Sequence, residues 1–87
     1  MDKQAYIDKL KAKSDAMDAK VREWMADIRI RTSGEMVDLE SRRASWREKF
    51  EAFKATSEEK WDDLKDSIDK SWKEVEDSSH RLRAKFS

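Results

Sequence analysis

The sequence predicts an all-α protein: a long amphipathic helix or a helical hairpin with an eleven-residue (hendecad) period, assembling as an oligomeric coiled coil or helical bundle. Three observations predict it. Turn formers are scarce, since the 87 residues include one Gly and no Pro, leaving few sites for the tight turns of sheets and loop-rich enzymes. Charge is dense but balanced: 46% of residues are Asp, Glu, Lys or Arg, 20 acidic against 20 basic. A chain with no net charge does not hold itself open by self-repulsion, and it lacks the net basic surface that releases counterions from nucleic acid. Finally, large apolar residues recur every eleven positions, at Tyr6, Met17, Ile28, Leu39, Phe50, Trp61 and Trp72.

Eleven residues in three turns is about 3.67 per turn, close to a straight helix, so one apolar stripe runs along a face of Lys, Arg, Asp and Glu. Met1-Asp2-Lys3-Gln4 opens onto the first stretch of that stripe, Tyr6, Leu10, Met17, Val21 and Trp24. It has neither the apolar core of a secretion signal nor the run of about 18 apolar residues of a membrane span, so a cytoplasmic location is expected. The first candidate break follows Ile28, where Thr32 and Glu35 bracket Ser33-Gly34 as a capping box. The second stretch carries Leu39, Trp46, Phe50 and Phe53. Thr56 and Glu59 make another capping box, and the third stretch carries Trp61, Leu64, Ile68, Trp72 and Val75. Glu58, Glu59, Asp62 and Asp63 at its start and Arg81, Arg83 and Lys85 at its end complement a helix dipole.

The eleven-residue register passes through Gly34 and Thr56 without a shift, which argues for continuity. Residues 1–87 are therefore expected as a single helical coiled-coil unit with breaks near 32–35 and 56–57, roughly 120 Å long if unbroken. A hairpin turning near Thr32–Glu35 is the alternative, and one turning near Thr56 a weaker variant. A three-helix bundle ranks last, because using both breaks leaves loops of two residues or fewer, the short limit of helix connections.

Little in the sequence is equipped for catalysis. With no Cys, no Gly-rich phosphate loop and one His, nucleophilic triads and thiolate chemistry lack their parts. Glu76, Asp77 and His80 make the one metal-like spacing, with Asp77 and His80 on one helical face, but Ser78, Ser79 and Arg81 beside them supply no further ligands, so no metal and no cofactor is expected. Arg42, Arg43 and Arg47 form the densest basic patch, flanked by Glu40 and Glu48, and read as a solvated face. Pairs such as Asp66 with Lys70 and Asp69 with Lys73 read as helix-surface ion pairs.

The four tryptophans are more informative. Trp bears much of the energy of interfaces because one side chain buries a large area, and all four lie on the stripe. The 23 large apolar side chains are a thin supply for an independent 87-residue fold, so a covering partner is expected. The predicted interface is Tyr6, Met17, Trp24, Ile28, Leu39, Trp46, Phe50, Phe53, Trp61, Leu64, Ile68, Trp72 and Val75. Its first expected partner is another copy of the chain. A lipid surface stands second, weakened by the absence of excess positive charge, and an unrelated protein on which the chain folds stands third.

Trp61-Asp-Asp-Leu64-Lys65, Ile68 and Trp72-Lys-Glu-Val75, with the opening Tyr6-x-x-Lys9-Leu10-x-Ala12, resemble the W-x-x-L-K...W-x-x-L segment and Y-x-x-K-L-x-A start of small bacterial coiled-coil proteins grouped with stress responses. Ser14, Ser71 and Gly34 depart from that pattern. The resemblance implies a non-enzymatic helical protein with a stress-linked role, and it transfers no catalytic residue.

Overall fold

Helix α1 spans Lys3–Met25 and buries Tyr6, Ile7, Leu10, Met17 and Val21, one face at spacings of three, four and seven. It ends where Ala26 and Asp27 donate to the carbonyls of Glu23 and Trp24, a tightened last turn. The Asp27 carboxylate then accepts from the Arg29 N–H at 2.9 Å and caps a single turn, α2, Ile28–Arg31. Ser33 closes this corner. Its N–H donates to Ile30 and its hydroxyl oxygen accepts from the Met36 N–H at 3.1 Å, capping α3, Gly34–Ala55. After Thr56, extended at φ −84° and ψ 146°, a 3₁₀ turn at Glu58–Lys60 leads into α4, Trp61–Phe86.

This computed structural model describes residues 3–87, less the side chain of Glu58. The readings that fell on Met1, Asp2 and the Glu58 carboxylate lie outside the described residues.

The helices run up, down and up. Glu35 meets Lys85, Arg42 meets Glu74 and Trp46 meets Trp72, so α3 and α4 are antiparallel. Asp18 meets Arg43 and Tyr6 meets Phe53, so α1 is antiparallel to α3 and parallel to α4. The result measures 45 × 18 × 18 Å. One core runs its length, with Leu10, Met36, Leu39, Phe53, Ile68, Val75 and Leu82 removed from solvent.

The all-α expectation holds, and the α3–α4 pair is a helical hairpin turning after Thr56. A helix unbroken from end to end is not what the described residues form. Both expected breaks are used, with a third at Ala26–Asp27, giving the three-helix arrangement ranked last. Loop length misled the ranking. The chain draws it from residues that read as helix, with Ala26–Ser33 as one connection and Thr56–Lys60 as the other. Folding back also removes the aromatic stripe from water without waiting for a partner.

Both capping boxes are corrected as well. Thr32 donates its hydroxyl to Ile28 and Thr56 donates to Ala52, each satisfying the turn before it. Neither caps the helix after it. Ser33 performs that task for α3, and α4 begins without a side-chain cap.

Candidate interaction surfaces

Of the thirteen predicted interface residues, nine lie in the chain's own core: Tyr6, Met17, Leu39, Trp46, Phe50, Phe53, Ile68, Trp72 and Val75. Trp24, Trp61 and Leu64 are partly buried against it. Ile28 is the exception at 63% exposed, and Val37 on the first turns of α3 is similarly open at 67%.

Two seams hold the bundle. Along α3–α4, rings and polar pairs alternate. Trp46 stacks on Phe50 at 4.9 Å between ring centres and meets the edge of Trp72 at 4.9 Å. Toward Gly34, Asp38 accepts from the Ser78 hydroxyl at 2.7 Å, from Arg42 at 3.2 Å and from Arg81 at 3.3 Å. These bonds, the one from Ser78 first, hold the Asp38 carboxyl below its usual range. The Lys85 ammonium closes the end on Glu35 at 2.6 Å.

Along α1 the seam depends on a few long side chains. The Tyr6 hydroxyl donates to Asp69, its ring meets Phe53 edge-on at 5.4 Å, and the Lys65 ammonium lies 5.4 Å from its centre. Burial first, then the hydrogen bond and charge of Asp69, raise the Tyr6 pKa above its ordinary value. Lys3 donates to the Thr56 carbonyl. Arg43, with a side chain only 12% exposed, joins Asp18 of α1 to Glu40 of its own helix. The indole N–H of Trp46 is buried without an acceptor among the described residues.

Shallow grooves follow the α1 seam. One of about 290 Å³ between α1 and α4 is lined by Lys20, Glu23, Trp24, Ser79, His80 and Arg83. Another of about 180 Å³ lies between α1 and α3, with Ser14, Trp46 and Phe50 in its wall. Among the described residues no three His, Asp or Glu side chains gather to hold a metal. Among the described residues no helix is long and apolar enough to cross a membrane.

The basic patch is divided between ion pairs, Arg42 to Asp38 and Glu74, and Arg43 to Asp18 and Glu40. Asp69, expected beside Lys73, instead receives the Tyr6 hydroxyl. Sequence reasoning missed the buried serines of α4, Ser71, Ser78 and Ser79. Their spacing was the available signal, because Ser71 and Ser78 share a face with Val75 and Leu82.

With the geometry in place, comparison with known proteins gives no further guide: no family model, no curated protein and no solved structure matches the chain.

Proposed function

We propose that this is a non-enzymatic, cytoplasmic interaction protein whose partner is a second copy of itself, with the stress-linked role that the W-x-x-L-K resemblance implies. One observation carries the reading. Ile28 belongs to the eleven-residue stripe, yet it is exposed while Met17 and Leu39, eleven positions to either side, are buried. A large aliphatic side chain held in water at a corner beside half-buried Trp24 and Met25 gains free energy when a second apolar surface covers it. The balanced charge supports the reading, since two copies approach without net repulsion.

Sedimentation equilibrium across a concentration series tests it. The expected outcome is a mass that rises toward the dimer with concentration, and an association constant at least about tenfold lower for Ile28→Lys, which puts a charge into the covered site. A wild-type chain that stays monomeric up to millimolar concentration overturns the reading.

A further inference from the structure

We infer that the copies associate by exchanging α1: the corner between α1 and α3 straightens, the two become one helix, and α1 of each chain occupies the seat on the α3–α4 hairpin of the other. This rests on the self-association reading above and specifies its geometry.

The corner is built to open. Of its capping residues, Asp27 and Ser33 depart from helix chiefly in ψ, at 117° and 153°, while their φ values of −94° and −77° are already negative. Thr32, at φ −95° and ψ 3°, lies near helical space. Among the described residues none has a positive φ, and the corner contains no Pro. No covalent or steric feature therefore prevents these residues from becoming helical. The only glycine does not need its freedom here, because a Cβ at Gly34 would meet nothing within 4 Å.

The sequence register then supplies the direction. Met17, Ile28 and Leu39 are separated by eleven residues each, so in a continuous helix Ile28 falls on the same face as its buried neighbours. In the bent chain that face is interrupted at Ile28 alone. The straightened helix, residues 3–55, would be about 80 Å long at 1.5 Å per residue. It carries α1 clear of its own hairpin and brings the Ile28 side chains of two chains toward the crossing point.

Exchange preserves what holds α1. Tyr6 with Asp69, Asp18 with Arg43 and Lys3 with the Thr56 carbonyl are remade between chains rather than within one. The difference between the forms is thus concentrated at the corner. The bent form keeps the Asp27 and Ser33 caps and the burial of Ile30, whereas the straight form gains continuous backbone hydrogen bonds and covers Ile28.

Two opposed sets of substitutions test the inference. Asp27→Ala, Ser33→Ala and Gly34→Ala together remove both caps and favour helix through the corner, and are expected to raise the dimer association constant at least about a hundredfold. Gly34→Pro suits the first turn of α3 after an extended Ser33 but breaks a helix running through it. It should leave a helical monomer by circular dichroism and sedimentation.

The chain has no native Cys, so the seat can be read directly. Asp18→Cys chains mixed with Arg43→Cys chains and treated with a short bis-maleimide should join across copies in the dimer fraction. Dimers that never cross-link in this way, or Gly34→Pro chains that dimerise like the wild type, overturn the exchange and leave self-association standing. A wild type that stays monomeric up to millimolar concentration overturns both, whatever the triple variant does.

Discussion

The two seams of this bundle differ in kind. Between α3 and α4 the helices lie close, and their contacts extend from Glu35–Lys85 at one end through Asp38–Ser78 and Trp46–Trp72 toward the Thr56 turn. Helix α1 stands farther from both, connected by Tyr6, the Asp18–Arg43 pair and Lys3, with grooves on either side. Buried serines explain part of the difference. Ser71 and Ser78 replace large side chains on α4 and let a neighbouring helix approach, while α1 meets the hairpin through long side chains that hold it off. A helix attached by a few long contacts is the one that opens at lowest free energy.

The largest test of this contrast is Trp72→Ala. It removes a buried ring from the α3–α4 seam and should cost about 3–5 kcal/mol, with a single cooperative loss of all helices in urea melts. If α1 melted first and separately in that variant while α3 and α4 stayed helical, Trp72 would not be what holds the hairpin together. Next is Arg43→Ala, which leaves the Asp18 carboxylate without its partner and should cost about 1–3 kcal/mol. Hydrogen exchange should place the loss in α1, and faster exchange confined to α4 would contradict the assignment of Arg43 to the α1 seam. Ser78→Ala deletes one hydrogen bond to Asp38 and should cost about 1 kcal/mol by denaturant titration, without speeding exchange in α1.

The smallest effects sharpen the comparison through pH. Tyr6 has a raised pKa in the folded chain, so its contribution is complete below its ordinary value of 10.0 and is lost as pH climbs past that. Asp38 has a lowered pKa, so its contribution is present above its ordinary value of 3.8 and is lost as pH falls below it. Alkaline titration should therefore loosen α1 first, and Tyr6→Phe should remove that limb. Acid should act through the α3–α4 seam, and Ser78→Ala should flatten it. Identical pH profiles for Tyr6→Phe and wild type above pH 10 would remove Tyr6 from the account.

The inward face was largely legible in the sequence, because burial follows apolar spacing whichever helix a residue occupies. Tyr6, Met17, Leu39, Phe50 and Trp72 keep their places for that reason. The folding back was not legible from the same signal. All three helices turn their stripes to one core, so a register that continues across a corner is compatible with straight and bent chains alike. Asp27 was the overlooked residue: its carboxylate is a good helix cap, but it is one of 20 acidic residues, which makes any single Asp inconspicuous. Arg43 hid in the same way, since sequence alone does not separate the most buried arginine of the patch from the more open Arg42 and Arg47 around it.

The distribution of the indoles has a practical consequence. Trp46 and Trp72 touch across α3–α4, Trp61 lies 6.1 Å from Tyr6 of α1, and Trp24 stands beside the corner. Each part of the molecule that can move thus has a chromophore on it or against it. Three single-tryptophan versions, at positions 24, 61 and 72, would convert one emission spectrum into three local clocks. The order in which corner, α1 and hairpin come apart would then be visible by light alone.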